Sequence, residues 1–233
     1  VDVNHLASMM SDRVGLVTCM HVNNIMGQIQ PIPEIAEIVS QYPKAHFHVD
    51  AVQAIGKIPL YFNQVDSMSL SGHKFNGLKG QGVLFVRNIH QLAPIMYGGG
   101  QEFGIRSGTV NLPTNIAIVK AMKSAVLNQA STFNMLQTLK TQLISFIEEF
   151  QGVYLNSPEG SSPHIINIAF PGVKGEVLVN AFSKYDVMLS TTSACSSKKA
   201  SLNEVLLAMG ITEKRIEGSI RLSLGSHTTV EDI

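Results

Sequence analysis

Charge is what this 233-residue chain has least of: 17 Lys+Arg meet 17 Asp+Glu, 15% of residues are charged, and the formal net charge is zero. Without a basic excess there is no electrostatic footprint for nucleic-acid phosphates. Low charge beside 45% apolar residues argues against disorder. Long apolar runs are also missing, since none approaches the roughly 18 residues of a membrane span. No cationic start precedes an apolar stretch in the manner of a secretory signal. Cysteine is scarce, and Cys19 with Cys195 cannot make a disulfide framework. What these absences leave is the composition of a cytoplasmic globular protein, long enough for a sizeable core. Both ends read as cut. Val1-Asp2-Val3, without a methionine, leads straight into a helical pattern carrying Leu6, Met9 and Met10, and Thr228 to Ile233 reads as a capped first helical turn that then stops. Apolar surface is expected where absent segments would pack.

Short apolar runs alternate with helical patterns in the first half. Val14–Met20 reads as a buried strand, followed by a polar corner at His21-Val-Asn-Asn24. A helix is expected from about Pro33 through Ile35, Ile38 and Val39. Ala45–Asp50, Asp66–Ser71 and Gly82–Val86 read as three further strands, so the rhythm predicts an α/β layer with a mainly parallel sheet. From Pro113 to about Phe150 the pattern is helical and long enough to bridge two domains. Beyond Gly152 come short strands (Ile165–Phe170, Val187–Leu189, Ser219–Leu224) and helices near Glu176–Phe182 and Leu202–Met209. The expected organisation is therefore 1–112, a connecting helical segment 113–150, and a smaller C-terminal α/β domain 151–233.

Open α/β sheets bind ligands beyond the carboxyl ends of their strands. Asn23 and Asn24 follow the first predicted strand, Asp50 and Gln53 the second, and Ser71-Gly-His-Lys74 the third. Two chemistries suit that set. His46, His48 and Asp50 share a strand face at period two and could hold a metal with His73. Alternatively, Lys74 bonds a pyridoxal cofactor while Asp50 pairs with its pyridinium nitrogen. The second gives every cluster a task, whereas the first sets a metal cation against the Lys74 ammonium. Cys195 lies among small polar residues with Lys198 and Lys199 nearby, surroundings that favour a reactive thiolate. Cys19, inside an apolar strand, reads as an inert core thiol. Arg221, in the alternating run Ile220–Leu224, offers a planar fork for a carboxylate.

Six stretches, in order, resemble one family: Met20–Asn24, His48–Lys57, Ser69–Lys74, Gly98–Thr109, Ser193–Ser197 and Ile220–Gly225. They are similar to cysteine desulfurases of the iron–sulfur and nitrogenase-maturation type, within the class V aminotransferases. The Ser-Ala-Cys-Ser-Ser form points away from the sulfur-mobilisation subgroup. The resemblance implies a fold-type I enzyme dependent on pyridoxal 5'-phosphate, with L-cysteine as substrate. Lys74 would hold the cofactor covalently and move the substrate's α-proton, with His73 beside it in the catalytic set. Asp50 would keep the pyridine nitrogen protonated, Gln53 would bond the ring oxygen, and Ser71 and His73 would bind the phosphate. Thr109 would reach the phosphate of a neighbouring subunit, which implies a homodimer. Asn24 would serve both cofactor and substrate, and with Arg221 would hold the cysteine carboxylate. Cys195 would take the sulfur as a persulfide, release alanine, and pass the sulfur to an iron–sulfur scaffold or a tRNA-thiolation enzyme.

This chain departs from the family's pattern in places. The glycine-threonine phosphate loop and the ring-stacking histidine of the family's N-terminal part have no match here. Ile25 stands where the family usually has glutamate, Leu78 where it has proline, Thr191-Thr192 for a Ser-Gly pair, and Ser226-His227 for an Arg-aromatic pair. The alternatives to a desulfurase are a selenocysteine lyase or other class V aminotransferase, and a catalytically silent chain acting in dimerisation or scaffold docking.

Overall fold

In two strands of the first half, His46–Asp50 and Ser67–Ser71, apolar residues alternate with polar ones, whereas Gly82–Val86 is apolar throughout. Leu16–Met20 (β1), His46–Asp50 (β2) and Ser67–Ser71 (β3) run parallel, and Gly82–Val86 (β4) lies antiparallel to β3. In β2, Phe47 and Val49 are buried while His46, His48 and Asp50 occupy the other face. Asp2 caps the helix Val3–Met9 (α1), accepting from the Asn4 and His5 amides. Between β1 and β2 comes Ile32–Ser40 (α2), with proline in its first turn and Ile32, Ile35 and Val39 buried. The predicted Val14–Met20 strand begins at Leu16 and is not buried along its length: Leu16 and Thr18 are exposed. Among the described residues β1 stands at one edge of this sheet.

The structure, a computed structural model, describes residues 1–191 and 202–233. These form two compact units, Val1–His21 with Gln30–Gln129, and Val22–Ile29 with Ala130–Ile233. The helical stretch expected over 113–150 is two helices, Leu112–Leu127 (α3) and Gln129–Glu148 (α4). Asn128 stands between them and turns its own amide back onto the Ser124 carbonyl. The division between units falls at that junction, and the polar corner after β1 groups with the second unit.

Tyr154–Leu155 (β5), Ile165–Ala169 (β6), Ser190–Thr191 (β7) and Ser219–Ser223 (β8) form an antiparallel sheet in the order β5-β6-β8-β7. The strand expected at Val187–Leu189 lies instead at Ser190–Thr191, after a left-handed backbone turn at Asp186. Leu136, Leu139, Leu143 and Ile147 recur at helical spacing on α4 and form a core with Ile166, Ile168, Ile220 and Leu224. Gly175–Ser183 (α5), Glu204–Ala208 (α6) and Glu213–Glu217 (α7) complete the unit. Met26, Leu206 and Ile216 make a second, smaller cluster. Among the described residues no helix is long and apolar enough to cross a membrane.

Candidate active site

In the first unit the polar residues gather where the parallel strands end. Met20, Asp50 and Ser69 stand in register across β1, β2 and β3, and the His21 amide donates to the Asp50 carbonyl at 2.8 Å. One Asp50 carboxylate oxygen accepts from the Val52 amide at 2.9 Å, which fixes the side chain at the start of the turn that carries Gln53. Asp50 and Gln53 are both half-buried.

Ser71 ends β3 and leads into a 3-10 turn, Gly72–Phe75, that carries His73 and Lys74. The turn is tightly fixed. The Gly72 amide donates to the Gln81 carbonyl at 2.9 Å, and the Gly72 carbonyl accepts from Gly77 at 2.8 Å. A Cβ on Gly72 would sit 3.1 Å from the Leu78 carbonyl oxygen and 3.2 Å from that of Gln81. Lys74 is half-buried and His73 exposed, and among the described residues no carboxylate pairs with the Lys74 amine. Lys57, a residue to which the sequence reading gave no role, donates its ammonium to the Lys74 carbonyl. Burial, and then the charge of Lys74, push Lys57 down to about 8.

His46 and His48 do not converge on a metal. Their ring nitrogens lie 2.7 and 2.8 Å from one hydroxyl, that of Ser67, and Ser69 Oγ lies 3.3 Å from the other His48 nitrogen. Burial and the neighbouring His46 hold His48 below the usual imidazole range, with Asp50 pulling the other way. Among the described residues no three His, Cys, Asp or Glu side chains form a metal-binding group. Cys19 is pushed up to about 11 by burial, which makes it an inert thiol at neutral pH. Thr109 is exposed at the end of a loop with left-handed turns at Gly100, Glu102, Phe103, Gly104 and Gly108. Cys195 lies outside the described residues.

The second unit holds Asn24 and Arg221 together. Arg221, on β8, donates from Nη1 to the Asn24 carbonyl at 2.9 Å. Its Nη2 reaches Ser190 Oγ at 3.5 Å, and its buried Nε has no partner among the described residues. The guanidinium thus spends Nη1 on backbone and Nη2 on Ser190, and its planar fork is the group that suits a carboxylate. Sequence reading missed Asn167, a fully buried amide in the middle of β6. The signal was available: one asparagine inside Ile-Ile-Asn-Ile-Ala.

The aminotransferase class-V family model matches residues 1–233. A NifS/IcsS protein homolog of Lactobacillus delbrueckii subsp. bulgaricus is 40% identical over 222 residues, covering 93% of this chain and 58% of that protein. The cysteine desulfurase IscS of Dictyoglomus turgidum is 37% identical over 237 residues, 100% of this chain and 60% of the relative. Among solved structures, a NifS-like protein aligns with a TM-score of 0.91 at 35% identity, over 100% of this chain and 61% of its own. A NifS-like protein from Rickettsia africae gives 0.88 at 29% identity, over 100% and 63%. The chain spans less than two thirds of the length of each of these relatives. With a family match along its whole length, the chain belongs to the class-V aminotransferases.

Proposed function

We propose that the protein is a pyridoxal-phosphate-dependent cysteine desulfurase that takes sulfur from L-cysteine and leaves L-alanine. Its donor set suits the cofactor. Asp50 has one oxygen committed to Val52 and another for the pyridine nitrogen, Lys74 brings an amine, and Ser71 and His73 bring phosphate donors around the close-packed Gly72. When bound, pyridoxal phosphate supplies an electron sink for the substrate's α-carbon. Asp50 keeps the ring nitrogen protonated, Gln53 bonds the ring oxygen, and Lys74 Nζ carries the α-proton. Asn24 and Arg221 hold the substrate carboxylate. Cys195 Sγ then attacks the cysteine sulfur: an S–S bond forms and the substrate's C–S bond breaks. The carbon keeps that bond's electron pair and gains a proton, so alanine leaves and a persulfide stays on the enzyme.

Thr109 serves the phosphate site of a second copy in a homodimer, and the persulfide passes to an iron–sulfur scaffold or a tRNA-thiolation enzyme in the cytoplasm. In this reading residues 1–112 belong to the cofactor domain, 113–150 connect, and 151–233 carry the cysteine loop. The observation that carries it is the pair at the carboxyl ends of β2 and β3: a carboxylate anchored by backbone, and an amine without a carboxylate partner among the described residues.

The pyridoxal-phosphate-loaded protein tests the reading. Lys74→Ala is expected to lose the yellow absorbance of bound cofactor, and Cys195→Ala to lose sulfide release from cysteine in the presence of a thiol. Sulfide release at the parental rate from Cys195→Ala sinks the persulfide role, and alanine yield from cysteine against selenocysteine separates a selenocysteine lyase. A second reading is a silent chain used in dimerisation or scaffold docking. Stoichiometric uptake of pyridoxal phosphate by the purified chain would remove it.

A further inference from the structure

The segment Val22–Ile29 carries Asn24, and the second unit grips it by its carbonyl groups. Asn24 O accepts from Arg221 Nη1 at 2.9 Å. Ile25 O accepts from Asn167 Nδ2 at 3.2 Å, and Gly27 O accepts from the Ser162 amide at 2.7 Å. Asn167 and Arg221 face each other in register across β6 and β8, so two cross-strand neighbours hold two successive carbonyls. Gly27 lies close on β6, in a left-handed conformation where a Cβ would meet the Ile165 carbonyl oxygen at 2.8 Å.

An amide in this position is costly unless bonded, because all five residues of β6 are buried. Every polar group of Asn167 has a partner. Its side-chain oxygen accepts from Asn156 Nδ2 at 2.8 Å, its backbone amide donates to Ser157 Oγ at 2.8 Å, and its carbonyl accepts from the Asn156 amide at 2.8 Å. Asn156 is itself oriented: Arg215 donates to its oxygen at 2.6 Å, and its amide donates to Ser219 Oγ at 2.9 Å. Arg215 lies over the Tyr154 ring, 4.9 Å from its centroid. An isoleucine would fill the strand without this network. What the network adds is one outward N–H, directed at Ile25 O.

We infer that Asn167, oriented by Asn156, is a positioning residue for substrate: it fixes the Asn24 segment beside Arg221 so that Asn24 and the guanidinium meet the substrate carboxylate together. The inference rests on the cysteine desulfurase reading, in which Asn24 and Arg221 bind that carboxylate. Asn167→Asp is the sharp variant, because it keeps the shape and removes the N–H that Ile25 O accepts. Asn167→Ser is the milder one and serves if the aspartate variant fails to fold.

Two measurements decide. By hydrogen exchange, either variant is expected to speed amide exchange in 24–29 while the α4 core keeps its protection. In the loaded protein, KM for cysteine is expected to rise about three- to tenfold, the scale of one hydrogen bond, with kcat within about twofold. Arg221→Ala is the reference and should raise KM further. Unchanged exchange in 24–29 overturns the proposal, and so does unchanged KM in a variant of Asn167 while Arg221→Ala raises it. If Arg221→Ala itself leaves KM unchanged, the carboxylate reading fails and the proposal falls with it.

Discussion

His21 is a buried imidazole whose two ring nitrogens have no partner among the described residues. The Tyr61 ring lies 5.5 Å away, centroid to centroid, and contributes packing rather than a hydrogen-bond partner. Burial holds His21 at about 4, against 6.5 for an exposed imidazole. Between those values the unfolded chain takes up a proton that the folded chain refuses, so stability falls as pH drops through that window. Thermal melts from pH 7 to 4 are expected to show this acid slope in the parent and a shallower one in His21→Leu. Equal slopes would remove the assignment. Lys140 acts on the alkaline side. Its ammonium donates to Ser161 O at 2.9 Å, Ser161 Oγ at 2.7 Å and Ser162 O at 3.2 Å, and burial pushes it down to about 8 from 10.5. From pH 8 to 10.5 the folded chain has already lost a proton that the unfolded chain keeps, so stability rises with pH. Lys140→Met should flatten part of that rise, since Lys57 titrates in the same window. A rise of undiminished steepness in the variant would show that Lys140 does not titrate there.

The turn after β3 carries His73 and Lys74, two of the residues proposed for the cofactor. Two of the three atoms nearest a Cβ on Gly72 are backbone oxygens, and the third is Ile118 Cδ1 on α3. Backbone cannot swing aside as a side chain can, so Gly72→Ala is expected to cost about 1–3 kcal/mol and to weaken pyridoxal phosphate uptake by displacing His73 and Lys74. Gly15→Ala, where nothing lies within 4 Å, is the control expected to do neither; equal behaviour of the two would refute the crowding argument. Elements with a strong local pattern were legible in the sequence: β2, β3 and β4 lie within a residue of their predicted runs, and α2 starts one residue before Pro33. The two-residue strand β5 and the five-residue helix α7 were not, because neither is long enough to show a period. The site divides in the same way. The placing of Asp50, Ser71 and Lys74 at or just beyond strand ends was readable because those ends follow from the apolar runs. The grip of Asn167 on Ile25 joins positions 142 residues apart, and the contact of Lys57 with the Lys74 carbonyl leaves no mark on local sequence.

At the scale of the molecule, the residues proposed for cofactor and substrate fall in both compact units, each taken by itself. Asp50, Gln53, Ser71, His73, Lys74 and Thr109 belong to the first, while Asn24 and Arg221 belong to the second. A ligand that binds the folded state stabilises what it binds, by about 2.7 kcal/mol at a hundred times its dissociation constant. Pyridoxal phosphate should therefore slow amide exchange in β2, β3 and the 72–75 turn, and in Val22–Ile29 through Asn24. Exchange in the core of α4, β6 and β8, built on Leu136, Ile166 and Ile220, should stay unchanged, because no residue assigned to the cofactor lies there. Pyridoxal phosphate without its aldehyde, as pyridoxine phosphate, separates the covalent part: the protection in β2 should persist and that at Lys74 should weaken. Uniform protection of both units would mean that binding is not confined to these residues. No protection anywhere would leave the silent-chain reading.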